Sequence, residues 1–427
     1  MGRIRSLEKK GLWVMLPLVV LAIAATGCAK VATTKGWAQP EVVNKVMYVT
    51  LDKGKLTAVD PVKGFTKIWT FPAADDVSCG GGAAQKYTLE GIYGQPAVDA
   101  ANVYYSTYDG AVWSVKQSDA TCNWRVEMDG NLVAAPVLKG DALYVTSTDG
   151  YVYELDAKDG SQKSKFNTGE AWATPLLTDD GLYVATMKGE LWKLDPTDLH
   201  NLWPAPFKVS AALLTPPAIV GDNTVVVGGI GRKLYGVNTD SGQQSWVADG
   251  SNWFWGEPAV EGTTLYTTDL DGQVKAIDGT NGKSLWATDF QALESIRAGA
   301  VVVGDMVIAV DNSGEIYRID KATGTQIGQP NLLNEDVLTR PLVYDLTTGR
   351  TPAPTNIGAR VVTPTPVSGG AAAQALATGT TTGSPTVAAS AAPSGSAGGD
   401  LVYIVTQGGN VYEFDADAAQ TKQVLTK

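Results

Sequence analysis

The sequence predicts an all-β fold, and three observations support this prediction. The 427 residues include 47 glycines, 21 prolines, 12 tryptophans and 16 tyrosines, a composition that favours strands and tight turns. Beyond the N-terminus, no long apolar stripe recurs with the period of a helix. Short β-rich runs instead alternate with Asp-Gly and Lys-Gly pairs, which are hairpin signals because glycine adopts the positive φ of tight turns.

A repeat of about 41 residues organises these runs. One unit extends from Pro136 through Asp149-Gly150 to Gly160 and holds four short strands. A four-stranded repeat of this length is typical of a propeller blade, whereas an open β-solenoid has shorter, parallel coils. We therefore predict an eight-bladed β-propeller of four-stranded antiparallel blades. Each unit carries one hairpin glycine, and the eight are Gly54, Gly110, Gly150, Gly189, Gly231, Gly272, Gly314 and Gly409.

Two insertions interrupt the repeat. The first, 73–90, is a glycine-rich loop between units 1 and 2. The second, 346–399, consists of Thr, Ala, Pro, Gly and Ser with almost no charged or large apolar side chains. Such a segment cannot bury enough surface to offset its ordering entropy, so we expect it to be disordered. Blades 1–7 and the start of blade 8 are then assigned to 36–345, and the rest of blade 8 to 400–427.

Residues 1–28 are predicted to be an export signal. Basic residues precede the uncharged apolar run Leu12–Ala25, and small residues precede Cys28. This order resembles a bacterial lipobox, which implies lipidation of Cys28 and a tether at 29–35. An uncleaved transmembrane anchor is the alternative, because the uncharged stretch 11–29 is close to the roughly 20 residues that span a bilayer. Either arrangement exports the rest of the chain.

The two remaining cysteines, Cys79 and Cys122, suggest one disulfide. An even number of cysteines in an oxidising compartment favours pairing. Two unpaired thiols are the alternative, since the sequence does not show that the residues meet.

The charge and histidine content exclude several classes of function. The net charge of −11 opposes binding to phosphate backbones, so we expect no nucleic-acid partner. The single histidine, His200, leaves little material for histidine metal sites or histidine acid–base catalysis.

Several units end in a common pattern of aspartate, glycine and tryptophan. In unit 6 this run extends from Ala276 to Trp286, and it resembles the tryptophan-docking motif of the pyrroloquinoline-quinone-type propeller repeat. The resemblance covers about residues 36–424. We expect the aspartate to cap the turn, the glycine to permit it and the tryptophan to wedge between blades. The candidate docking residues are Asp60, Trp69, Trp124, Trp203, Trp246, Asp278, Gly282 and Trp286.

The family that this motif resembles has two branches. Quinoprotein dehydrogenases bind the quinone and calcium in the central funnel and carry an adjacent Cys-Cys disulfide, which this sequence lacks. The other branch is non-catalytic and includes the propeller lipoprotein of the outer-membrane β-barrel assembly machinery. The chain is similar to that second branch in lipobox, repeat number and length, and the insertion 346–399 departs from it.

Each unit opens with a four-residue lead into its innermost strand, usually ending in proline. In a propeller these leads form a ring around one mouth of the channel. Aromatic and arginine side chains are favoured at interfaces and in ligand-binding mouths, so this ring is the candidate partner or ligand surface. The alternative is that the aromatic rings only pack between blades. The candidate residues are Trp37, Tyr93, Trp172, Trp255, Glu257, Arg297 and Arg340.

The sequence contains no recognisable catalytic constellation, metal-ligand spacing or phosphate loop. We therefore predict a non-enzymatic monomer without cofactor or metal ion, which binds another envelope or secreted protein. Lipid on Cys28 would anchor it to the outer face of the cell membrane or to the outer membrane. Two alternatives stay open, a quinone-dependent oxidoreductase and a propeller that binds sugar or peptide in its mouth.

Overall fold

The computed structural model describes residues 36–74, 76–344 and 401–426, which fold into strands and turns without a helix. The predicted signal, the tether and the insertion 346–399 lie outside the described residues. No helix in the described part has the length and apolar character needed to cross a bilayer. The described strands form eight antiparallel sheets of the predicted kind, which confirms the eight-bladed propeller.

Within each blade the strands are neighbours in chain order, and every blade except blade 6 has four of them. The insertion between blades 1 and 2 adds a short hairpin of its own. Blade 1 comprises β1 (Glu41–Val43), β2 (Val46–Asp52), β3 (Lys55–Asp60) and β4 (Thr66–Phe71). The added hairpin comprises β5 (Asp76–Val77) and β6 (Gln85–Lys86). Blade 2 comprises β7 (Ala97–Val98), β8 (Asn102–Ser106), β9 (Ala111–Lys116) and β10 (Cys122–Glu127).

Blades 3 to 5 follow the same plan, with short inner strands and longer middle strands. Blade 3 comprises β11 (Val137–Lys139), β12 (Ala142–Thr146), β13 (Tyr151–Asp156) and β14 (Gln162–Asn167). Blade 4 comprises β15 (Leu176–Leu177), β16 (Leu182–Ala185), β17 (Glu190–Leu194) and β18 (Phe207–Lys208). Blade 5 comprises β19 (Ala218–Val220), β20 (Thr224–Gly228), β21 (Lys233–Asn238) and β22 (Gln244–Asp249).

Blade 6 differs in its outer strand, which is divided into two pieces that both pair with the third strand. Blade 6 comprises β23 (Ala259–Glu261), β24 (Thr264–Thr268), β25 (Gln273–Asp278), β26 (Lys283–Ser284) and β27 (Phe290–Gln291). Blade 7 comprises β28 (Val301–Val303), β29 (Met306–Val310), β30 (Glu315–Asp320) and β31 (Asn331–Leu332). Blade 8 comprises β32 (Leu342–Tyr344), β33 (Leu401–Val405), β34 (Val411–Asp415) and β35 (Gln420–Leu425).

The core lies in the seams between blades. Eight apolar clusters each combine residues from two consecutive blades. One of them joins Val42 and Met47 of blade 1 to Leu342 and Tyr403 of blade 8. The ring therefore closes by side-chain packing, and within the described residues the first and last sheets share no strand.

A tryptophan closes five of the seams between described blades. Each indole is buried and donates its N–H to a backbone carbonyl in the next blade over 2.7–3.0 Å. The acceptor follows the aspartate position of the next blade's turn, as Gly279 follows Asp278. The five pairs are Trp69 with Gln117, Trp124 with Ala157, Trp203 with Thr239, Trp246 with Gly279, and Trp286 with Lys321.

The aspartates of the pattern hold the turns between the third and fourth strands. Asp60 accepts hydrogen bonds from the backbone N–H groups of Val62 and Lys63 at 3.0 Å. Asp278 accepts from the N–H of Thr280 at 2.9 Å. The Thr280 hydroxyl also donates to Asp278, at 2.6 Å. The bond from the Lys63 N–H at Asp60, and the bonds from the hydroxyl and the N–H of Thr280 at Asp278, hold the pKa of each carboxyl group below the ordinary value. Both side chains thus form the Asx-type turns that their positions favour.

The first insertion is fixed to the outer strand of blade 2. Cys79 and Cys122 form a disulfide bond with an Sγ–Sγ distance of 2.01 Å, and are therefore not free thiols. The backbone N–H of Gly80 donates to the Cys122 carbonyl at 3.2 Å. The Arg125 guanidinium lies 4.3 Å from the centre of the Tyr87 ring, which joins the insertion to β10 a second time.

Candidate functional site

The leads into the innermost strands surround one opening of the ring, which we call the mouth. Its cavity has a volume of about 130 Å³. The leads of blades 1, 2, 4, 6, 7 and 8 supply all seven candidate side chains, and the structure brings them together here. They are Trp37, Tyr93, Trp172, Trp255, Glu257, Arg297 and Arg340.

Close backbone contact between neighbouring leads shapes the mouth. A Cβ added to Gly256 would meet the backbone nitrogen of Gly299 in the next lead, and one added to Gly94 would meet that of Ala135. Only glycine allows this approach. The leads can therefore lie side by side, with their larger side chains at the opening.

The aromatic side chains meet across the mouth. The Trp37 and Tyr93 rings have centroids 4.2 Å apart in an edge-to-face arrangement. The Trp172 and Trp255 rings, which come from the non-adjacent blades 4 and 6, have centroids 6.5 Å apart. All four residues are partly exposed. These contacts therefore differ from the seam packing of the docking tryptophans, because they connect leads around an open cavity.

Two arginines of the mouth have different surroundings. The Arg340 guanidinium forms an ion pair with Glu257 at 3.4 Å, and its Nε–H donates to the Ala300 carbonyl at 3.2 Å. The Arg297 guanidinium lies 4.6 Å from the Trp255 ring centre and 5.8 Å from that of Trp37. Burial lowers the pKa of Arg297, although a guanidinium stays protonated in proteins. Among the described residues no carboxylate pairs with Arg297, and its buried Nε has no hydrogen-bond partner.

The quinone and calcium of the dehydrogenase branch do not fit the described residues of the mouth. Calcium takes about six to eight oxygen ligands, several of them carboxylates. Glu257 is the carboxylate lining the mouth in the described part of the chain, and Arg340 already pairs with it. The described residues of the mouth therefore lack the set of oxygen ligands that calcium needs.

Another cluster of possible metal ligands lies in the turn after β17, away from the leads. Its members are Asp195, Asp198 and His200. His200 Nδ1 is 2.5 Å from Asp198 Oδ1, and this contact raises the pKa of the imidazole. The two side chains are more than half exposed, as is ordinary for a polar turn.

Sequence reasoning missed two amide side chains of the mouth, Gln39 and Gln95. The Gln95 amide donates to the Pro40 carbonyl at 3.0 Å and so connects the first two leads. A usable signal was present, because an extended lead presents alternate residues to one side. The first and third positions of most leads line the mouth, and Gln39 and Gln95 each occupy a third position.

Comparison with known proteins gives one family match. The family model described as outer membrane protein assembly factor BamB matches residues 52–166, 136–206 and 206–423. A curated relative of that name from Burkholderia pseudomallei is 23% identical over 317 residues, covering 70% of this chain and 69% of its own.

Two solved structures show the likeness of fold. BamB from Moraxella catarrhalis superposes with a TM-score of 0.59 at 17% identity, covering 72% of this chain and 88% of that one. Quinohemoprotein alcohol dehydrogenase from Comamonas testosteroni gives a TM-score of 0.56 at 12% identity, covering 73% and 69%. At these identities the similarity concerns the fold alone, which binding proteins and enzymes share.

Proposed function

Because this chain belongs to the family of outer membrane protein assembly factor BamB, we propose that it acts in outer membrane protein assembly as a non-catalytic propeller. Its mouth binds another protein of the cell envelope. The convergence of seven lead side chains from six blades at one opening supports this proposal most directly. Aromatic and arginine side chains in such a position are the residue types that dominate binding energy at interfaces.

The proposal includes a lipid anchor on Cys28, at the end of the predicted signal. It places the protein on a membrane of the envelope, facing away from the cytoplasm. Metabolic labelling with a fatty acid should mark the wild-type chain and leave the Cys28→Ser variant unmarked. Labelling of that variant would contradict the anchor.

The partner surface is tested by in-cell crosslinking from the mouth, followed by identification of the captured protein. Combined Trp172→Ala and Trp255→Ala replacement should reduce capture at least about tenfold, since central aromatic anchors carry most interface energy. Trp253→Ala is the matched control, because Trp253 is 42% exposed and does not line the mouth. Undiminished capture by a folded double variant would end the proposal for this surface.

The non-catalytic part of the proposal has its own test. Added pyrroloquinoline quinone and calcium should give neither saturable binding nor reduction of a redox dye with alcohols or sugars. The reason is that Glu257, the carboxylate among the described residues of the mouth, already pairs with Arg340. Quinone-dependent dye reduction would make the chain an oxidoreductase.

A further inference from the structure

We infer that Arg297 is a receptor for a carboxylate group, which enters the mouth between Trp37 and Trp255. This inference rests on the proposed function of the mouth as a binding surface, and it names the chemistry that the surface recognises. The carboxylate belongs to an acidic side chain of a bound peptide segment or to a small free acid.

A second arginine in the molecule shows what is missing at Arg297. The Arg125 guanidinium also lies over two aromatic rings, 4.3 Å from the centre of Tyr87 and 4.9 Å from that of Trp113. Its terminal nitrogens pair with Asp109 at 3.4 Å and Glu127 at 2.5 Å. Stacking on aromatic rings therefore leaves a guanidinium free to bind carboxylates, and at Arg125 the fold supplies them.

At Arg297 the fold supplies the rings without the carboxylate. No ion pair or hydrogen bond involves its guanidinium within the described residues, although Glu257 lies in the same cavity and pairs with Arg340 instead. A guanidinium has five N–H donors in a fork that matches a carboxylate. A partly buried and unpaired charge of this kind is costly for the protein alone, and an external anion offsets that cost.

The shape and charge of the mouth favour one acidic group of side-chain size. The cavity of about 130 Å³ is close to the size that admits a benzene-sized group. Trp37, Trp172 and Trp255 provide apolar walls for the methylene groups of a side chain, while partial exclusion of water strengthens the ion pair. The chain as a whole carries a net charge of −11, so the attraction for an anion must come from the local charge of Arg297 and not from the overall field of the protein.

The test uses the mature protein and a blocked pentapeptide with one central glutamate, compared with the same peptide carrying glutamine. Binding is followed by calorimetry and by quenching of tryptophan fluorescence. The glutamate peptide should bind at least about tenfold more tightly, which corresponds to a charge-assisted hydrogen-bonded pair. Equal binding of the two peptides would overturn the inference.

The variants locate the effect. Arg297→Gln should abolish the preference for glutamate, and Arg297→Lys should keep part of it as a point charge without the fork. Lys188→Gln makes the same change of charge in an exposed turn of blade 4, between β16 and β17. This variant should leave the preference for glutamate unchanged. The urea midpoint of each variant shows that it is folded. A preference that survives Arg297→Gln would overturn the assignment.

Competition with free acids distinguishes the two sources of the carboxylate. Displacement of the peptide by free glutarate at similar concentration identifies a small-acid site, and weak displacement identifies a peptide site. Both outcomes support a carboxylate receptor. Equal displacement by inorganic phosphate would show a general anion site and overturn it. If the Trp172→Ala, Trp255→Ala variant loses partner capture but the wild-type protein shows no preference for glutamate, this inference alone is wrong. If the wild-type protein prefers glutamate but the double variant captures the partner normally, the proposed function alone is wrong.

Discussion

Two kinds of seam join the blades, those that carry a docking tryptophan and those that lack one. Different residues fill the space between the blades in the two kinds. In four of the five tryptophan seams, a motif glycine of the next blade faces the indole. A Cβ added to Gly160, Gly242, Gly282 or Gly324 would lie within 2.5–2.8 Å of Trp124, Trp203, Trp246 or Trp286, respectively. The glycine therefore provides space for the ring as well as the positive φ of the turn.

The seams after blades 3, 7 and 8 have no docking tryptophan among their described residues, and larger residues stand at or beside the glycine position. Leu199 takes that position with φ 62° and is fully buried against blade 3. Phe65, beside Gly64, packs on Tyr403 of blade 8 with ring centroids 5.3 Å apart. Leu199 shows that the turn tolerates a side chain at positive φ. In the fifth tryptophan seam Ala120, with φ 58°, takes the same position in the cluster that holds Trp69, so a small side chain is also accommodated there.

Polar groups replace the indole N–H in two of these seams. The Tyr144 hydroxyl donates to the Pro196 carbonyl at 2.5 Å. In the seam between blades 7 and 8, Arg318 and Asn331 donate to the carbonyls of Ala416 and Ala419 at 3.4 and 2.9 Å. Pro196 and Ala416 both follow the turn aspartate, so the acceptor position is kept while the donor changes.

The comparison predicts its largest effect for loss of a docking tryptophan. Trp246→Ala removes a buried ring and its hydrogen bond to Gly279, and should lower the free energy of unfolding by about 3–5 kcal/mol. Urea denaturation followed by circular dichroism measures this loss. The exposed Trp253→Ala serves as the control, and an equal loss in both variants would contradict a special role for the seam ring.

The next largest effect is expected for Leu199, which stands in a seam without a docking tryptophan. Leu199→Ala should cost about 2–5 kcal/mol, because it empties the space that the side chain fills between blades 3 and 4. The neighbouring Leu202 is 38% exposed, and its replacement by alanine should cost far less. Similar urea midpoints for the two variants would show that Leu199 does not replace a tryptophan.

A matched pair of glycines separates space from backbone conformation. Gly64 and Gly282 have φ of 66° and 76°, but a Cβ meets nothing within 4 Å at Gly64 and lies 2.6 Å from Trp246 at Gly282. Gly64→Ala should cost about 1 kcal/mol from the left-handed conformation alone. Gly282→Ala should cost about 1–3 kcal/mol more, because the ring must move. Equal shifts of the urea midpoint would mean that φ alone explains the glycine.

The smallest effect is expected for the substitute donor. Tyr144→Phe removes the hydrogen bond to Pro196 and should cost about 1 kcal/mol at neutral pH. Burial raises the pKa of Tyr144 to about 12, above the value near 10 of an unfolded chain. Wild-type stability from this group is therefore complete below pH 10 and is lost as the pH rises towards 12. The urea midpoint of the variant should be lower than that of the wild type at pH 8, and the two midpoints should be closer at pH 11. The same difference at both pH values would contradict this account.

The repeat made the fold predictable, because each blade encodes its own hairpins and turns locally. The period of the hairpin glycines gave eight blades, and the tryptophan motif predicted residues that do lie in seams. Leu199 and Tyr144 gave no such signal in the sequence. They fill the seam between blades 3 and 4, and this role depends on the absence of a docking tryptophan from that seam. Substitution between blades is a property of the closed ring and cannot be read from one unit.

The candidate site was predictable as a set of residues but not as a geometry. Positions in the leads are repeated, so the shared opening follows from the repeat. The meeting of Trp172 with Trp255 depends on distances across the ring, and so does the position of Arg297 between Trp37 and Trp255. The pairing of Cys79 with Cys122 depends on the path of the first insertion, for which the sequence contains no repeat to compare.

The closure of the ring between blade 8 and blade 1 by side-chain packing affects how the folded protein opens locally. Many backbone hydrogen bonds must break together to detach a strand, whereas a seam of packed side chains can part without disrupting a ladder. Amide protons next to this seam, in the leads of blades 1 and 8, should therefore exchange with solvent through small openings that leave every blade intact. Trp37 and Arg340 lie on those leads, so an opening of this seam would also widen the mouth.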